Sequence, residues 1–339
     1  MTTEKNHPIC SSEYAALWMI YEKKTMVARV LEYFLTHVDE QESKRLMTER
    51  YTVEKQDVET ISTILRREGA PVPVGFTELD VHLDAPPLFD HMFDIMYLRT
   101  MSKVATGLHA LYTTVSYRED IIDLFKKFTR EAEEMYKKTT QLLLDKGVLA
   151  RSPYVDIPSE NQFVKDKTYM SGFSLFNDKR TLNVVEVALI YQSIESNVMG
   201  MQLMTGFSQV TDHEQVRNYF FEGKELAKKI VTELGGLLLQ SDIQTPATWA
   251  GKATRSTIAP FSNKLMMYNT SLLSSFGLTS NALGTSFSLR SDLPLKMANL
   301  SRNIFNYAKK GGKLMIENGW MEKPPQMEER SQVIQGKRS

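Results

Sequence analysis

The chain has 339 residues, 42% apolar and 24% charged, with 41 basic and 41 acidic side chains and a formal net charge of zero. That is the balance of a soluble globular protein long enough for two domains, and with no net field it excludes nucleic acid as an electrostatic partner. A single cysteine, Cys10, excludes an internal disulfide and a cysteine metal cluster; with a polar N-terminus and no stretch of ~18 apolar residues, it predicts a cytoplasmic protein without signal peptide or membrane span.

In chain order, hydrophobic periodicity predicts helices near 12–40, 43–68, 87–114 and 117–146. The first turns Leu17, Tyr21, Ala28, Leu31 and Leu35 inward, with Lys24 among them. The second carries Glu54 on the face of Met47, Ile61 and Leu65, with Asp57 close by. Counted from the hairpin turn, Lys24 and Glu54 stand within about one turn of the same height. That predicts a buried polar pair, with Asp57 as the alternative acid and Glu195 as the inward polar residue of the second half. The stretch from Gly69 to Pro86 contains Pro71, Pro73 and Gly75 and is not helical. Ile121, Leu124, Phe125, Phe128, Ala132 and Met135 give the fourth helix a core face. Ser116 with Glu119 reads as its capping box, and Gly147 as its stop. The linker that follows holds an apolar patch of Tyr169, Met170, Phe173, Leu175 and Phe176, predicted to dock on a bundle.

Four more helices are predicted near 180–209, 212–240, 260–287 and 291–318. They repeat the first four. Shifted by 172 residues, Phe89 falls on Phe261, Ser116 on Ser288, Arg118 on Arg290, Asp120 on Asp292, Gly147 on Gly319 and Pro153 on Pro325. One inserted residue extends the match, pairing Pro73 with Pro246 and Phe76 with Trp249. The expected organisation is a first bundle over 1–150, a linker over 151–178, a second bundle over 179–325 and a polar tail over 326–339.

Loop lengths set the connectivity. Turns of a few residues make the first and second helices, and the third and fourth, antiparallel hairpins. The Gly69–Pro86 stretch can extend ~55 Å, whereas a 26-residue helix is ~39 Å long. It can therefore run the length of the bundle and leave helices two and three parallel, with Phe76 and Trp249 pinning the two crossovers to the bundle sides. The predicted fold is all-α: two tandem ferritin-like four-helix bundles, each with a long crossover between its second and third helix.

A di-metal carboxylate centre in such bundles needs Glu-x-x-His pairs. Within the predicted helices no histidine follows an acid by three positions; His7 follows Glu4 so, but ahead of the first helix. His91 and His109 fall on the face opposite Phe89 and Phe93 and are ~27 Å apart, so they are expected at the surface or an interface and predict no metal site. Ser116, Arg118 and Asp120, repeated as Ser288, Arg290 and Asp292, stand at helix starts, where an anion or a cap is the natural role. The plainer reading is a cap, with the arginine tying the hairpin to its neighbour. The small-residue run from Phe276 to Ser286 predicts close packing between the bundles.

The chain resembles the domain-of-unknown-function family numbered 3231, of spore-forming Firmicutes. The likeness rests on the duplicated bundle, on Pro73-x-x-Phe76 and Pro246-x-x-Trp249, and on the repeated Ser-x-Arg-x-Asp and Gly…Pro elements. It implies a pair of ferritin-like bundles similar to some spore-coat-like proteins, and it implies no reaction, cofactor or catalytic residue. The expectation is a non-catalytic structural or interaction protein, linked to sporulation, with a protein partner or a second copy. The alternatives are a ferritin-like metal-binding protein or oxidase with unorthodox ligands, and a binder of an apolar small molecule between the bundles.

Overall fold

The computed structural model describes residues 7–90, 92–172, 179–245, 252–327 and 330. Within them lie eight α-helices: α1 (Ser11–Leu35), α2 (Gln41–Arg67), α3 (Phe93–Thr114), α4 (Glu119–Asp145), α5 (Val184–Val210), α6 (Glu214–Leu239), α7 (Asn263–Phe287) and α8 (Asp292–Glu317). Local chemistry sets their ends. At the start of α5, Asn183 accepts from the Glu186 N–H at 2.9 Å and Glu186 accepts from the Asn183 N–H at 3.0 Å. Just beyond α2, α4 and α8 stand Gly69, Gly147 and Gly319, with φ of 68°, 67° and 68°. Only glycine enters that left-handed region without a penalty, so each stops its helix.

Charged contacts fix the helix directions. The end of α2 meets the start of α4 through Arg67–Asp120 at 2.8 Å and Arg118–Glu68 at 2.7 Å. The start of α2 meets the end of α4 through Lys138–Glu49 and Lys146–Glu40. Thus α2 and α4 are antiparallel. Because α3 and α4 form a tight hairpin, α2 and α3 run parallel. Lys296–Glu233 and Lys310–Glu222 repeat the argument for α6 and α8. Each half is a four-helix bundle whose middle helices are parallel and joined by a long crossover, the connectivity expected from the loop lengths.

The two crossovers pair with each other. Val81 bridges Phe261 and Phe89 bridges Ala253, both antiparallel. The His82 N–H donates to Pro260 O and the Thr254 N–H to Leu88 O, each at 2.8 Å. Asp90 N–H donates to Lys252 O, and Ser262 N–H to Asp80 O. Under the 172-residue shift each member of these couples turns into the other. The halves therefore meet as the two subunits of an isologous dimer would, joined in one chain. Tyr97 and Asn269, equivalent positions, meet across the junction at 2.9 Å. One apolar core runs through both halves here, holding Tyr33, Phe34, Phe93, Phe207 and Phe261.

This pairing corrects several expectations. The third and seventh helices begin at Phe93 and Asn263, later than the predicted 87 and 260, because Leu88, Phe89 and Phe261 serve an extended ribbon before the helices start. The first helix ends at Leu35, since Glu40 already caps α2 by accepting from the Ser43 N–H at 2.6 Å. Phe76 packs on Tyr268 of α7, with ring centroids 5.0 Å apart, so it pins its crossover against the other half. Trp249 lies outside the described residues, as do Phe173, Leu175 and Phe176 of the linker patch. In the small-residue run, Gly277 and Gly284 face Ile304 and Met297 of α8, so the closeness there is within the second bundle.

Gly75 brings the backbone of the first crossover close against α1. Its φ is 62°, and a Cβ there would meet Thr25 Oγ1 at 2.5 Å. Its N–H and that of Val74 donate to Glu322 beyond α8, and Lys264 donates to its carbonyl. Gly75→Ala is expected to destabilise the chain by about 1–3 kcal/mol, read as a lower thermal unfolding midpoint. An unchanged midpoint would show that the crossover shifts freely.

Candidate functional site

Halfway along the first bundle lies a cluster of buried charge. Lys24, on α1, is 0% exposed and donates to Glu54 at 2.9 Å and Asp57 at 2.7 Å on α2. Arg50, one turn before Glu54, binds the other Glu54 oxygen. Lys127 of α4 reaches Asp57 at 2.9 Å and Glu131 at 3.4 Å. Burial alone would raise the Glu54 carboxyl, but Arg50, Lys24 and Lys23 hold it well below the usual carboxylate range. Glu131 goes the other way, raised by burial and by the neighbouring Asp57.

Lys23 is the unmatched member. It is 1% exposed and forms no ion pair with any described residue. Burial pulls its ammonium down to about 7, with Lys24 and Arg50 adding repulsion against the attraction of Glu54. His109 of α3 is also fully buried, its ring 5.6 Å from that of Phe128, and neither ring nitrogen finds a hydrogen-bond partner. Burial and the nearby lysines hold its imidazole neutral, well below its ordinary value. This overturns the surface placement expected for His109; His91 lies outside the described residues.

The second bundle carries no such cluster. The α1 and α2 positions map onto α5 and α6 with a shift of 173, so Lys24, Arg50, Glu54 and Asp57 correspond to Asn197, Gly223, Ala227 and Ile230. These line a cavity of about 50 Å³ with Ile304 and Tyr307. Glu195 does not face it. It sits between the halves, bound to Arg99 at 2.9 Å and Lys103 at 3.1 Å of α3.

The repeated Ser-x-Arg-x-Asp elements form a second arrangement. Ser116 donates to Tyr112 O and leaves the start of α4 uncapped, so the predicted capping box is absent. The cap comes from Glu13 of α1, whose carboxylate accepts from the Tyr117 and Arg118 N–H groups, both at 2.8 Å. Glu186 does the same for Leu289 and Arg290. Arg118 is committed to Asp120, Glu68 and the His7 carbonyl, and it holds the Asp120 carboxyl at about 2. Arg290 binds Asp292 and the Arg180 carbonyl, while Lys179 binds Asp292 at 2.9 Å. Ser288 is buried at the matching turn. With the carboxylates already bonded to these arginines, both arrangements act as hairpin clasps. Glu13 and Glu186 escaped the sequence reading, although they occupy equivalent positions three residues past the Cys10 and Asn183 caps.

Two fused four-helix bundles, one with a charged interior and one with an apolar interior, define the class of this protein. Among the described residues no helix is long and apolar enough to cross a membrane. The chain belongs to the family described as Protein of unknown function (DUF3231), whose model matches residues 1–160 and 170–333. It is similar to a solved structure of a spore-coat candidate from Bacillus halodurans C-125, with 18% identity and a TM-score of 0.42 over 45% of this chain and 99% of that one. A search of curated proteins finds no match.

Proposed function

We propose that the chain is a non-catalytic structural or interaction protein of the reducing cytoplasm of a spore-forming bacterium. The link to sporulation is what the family resemblance implies. The observation that carries the reading is the state of the carboxylates inside the first bundle. Glu54, Asp57 and Glu131 each bind a lysine or arginine, and the equivalents of Glu54 and Asp57 in the second bundle are apolar. A metal centre needs carboxylates and imidazoles turned to one point and free of competing cations. These residues do not fit one, and among the described residues no group of three acids, histidines or cysteines is placed to hold an ion. Opposite charges locked together in a core fix register and do no chemistry. Exposed Val184 and Val185, at the positions of Ser11 and Ser12 in the first bundle, together with exposed Phe287 and Leu289 at the same end of the second, support an interaction role.

Elemental analysis of the chain purified without chelators tests the reading. Transition metal well below one equivalent after dialysis is expected. A stoichiometric metal that survives dialysis would reverse the order of the proposals and favour a metal-binding protein.

A further inference from the structure

A cavity of about 590 Å³ opens at one end of the first bundle, where the α1–α2 turn, the end of the first crossover and Thr254 of the second crossover meet. Its size is that of a small-molecule site. Buried Tyr33, Phe34 and Phe89 form an aromatic floor. The rim is acidic. Asp39 and Asp90 are exposed and form no ion pair with any described residue, and Glu40, tied to Lys146, lies beside them. Neither lysine nor arginine lines the cavity.

Three further observations bear on what would enter. Ser43, 1% exposed, lies behind the lining and holds Glu40 in place, its N–H donating to that carboxylate at 2.6 Å. The acids and His37 do not converge closely enough to hold a metal ion, so the negative charge is spread along the opening. The duplicated scaffold does not require the feature: Ser43, Asp90 and Asp94 correspond to Val216, Ser262 and Met266 in the second half.

Spread negative charge over an aromatic floor matches a cation whose charges are separated by apolar chain. We propose that this cavity binds an aliphatic polyamine, with methylenes along Tyr33, Phe34 and Phe89 and ammonium groups at Asp39 and Asp90. The proposal stands apart from the reading above, since calorimetry and metal analysis can fail separately.

Isothermal titration of the full chain with spermidine at physiological salt is the test. Saturable binding is expected, with a Kd of about 10–100 μM. The double variant Asp39→Asn, Asp90→Asn should bind at least about tenfold more weakly and keep its unfolding midpoint, because both side chains are exposed. Magnesium chloride at equal charge should not displace the amine. Absence of saturable heat, equal affinity in the double variant, or displacement by magnesium would each overturn the proposal.

Discussion

Lys24→Met is expected to destabilise the first bundle by about 3–5 kcal/mol. Methionine keeps the volume of the stem but removes the ammonium that joins Glu54 to Asp57. Both carboxylates are 1% exposed or less, so each then relies on a single remaining cation in a medium that solvates charge poorly. Urea unfolding at neutral pH, followed by far-UV circular dichroism, would show a lower midpoint. A midpoint equal to that of the wild type would mean that water reaches the cluster and that the register is set elsewhere.

The neighbouring residue should respond in the opposite direction. Lys23→Met is expected to stabilise the chain at neutral pH by an amount on the order of 5 kcal/mol. The folded-state ammonium is pulled from 10.5 to about 7 by burial, so between these values the unfolded chain holds a proton that the folded chain has released. Stability of the wild type therefore rises with pH across that window, and the cost of burying Lys23 is complete below it. The methionine variant lacks this slope, so its advantage should shrink from about pH 7 to about pH 9. Two unfolding curves that stay parallel with pH would show that Lys23 keeps its proton when folded. Adjacent lysines with opposite effects would separate a matched buried charge from an unmatched one, a distinction that burial alone does not make.

Much of the fold was legible in the residues. The helical periodicity of Ile121 to Met135, the glycine stops, and the proline-bearing stretches long enough to span a bundle gave eight helices and their connectivity. Lys24, Glu54 and Asp57 were legible as neighbours because they lie on core-facing stripes at one height. Arg50 was missed although it stands one turn from Glu54, because an arginine on a helix is ordinarily a solvated residue. Lys23 and His109 were missed for another reason. A wheel that counts α3 from Phe89 turns His109 outward, whereas the ring packs on Phe128 of α4 with Lys23 nearby, inside their own bundle. The ribbon between the crossovers was invisible, because backbone hydrogen bonds leave no side-chain signature and Leu88-Phe89 reads equally well as the start of a helix.

The sequence by itself determined that the chain is all-helical, that it is one bundle written twice, and that each copy holds one long crossover, since these follow from local periodicity and chain length. Only the tertiary structure decided how the copies meet: as an isologous pair whose crossovers clasp each other, with charge in one interior and a small apolar cavity in the other. The physical reason is that such pairing depends on backbone groups and on helix faces that turn polar or apolar only once a second bundle has covered them.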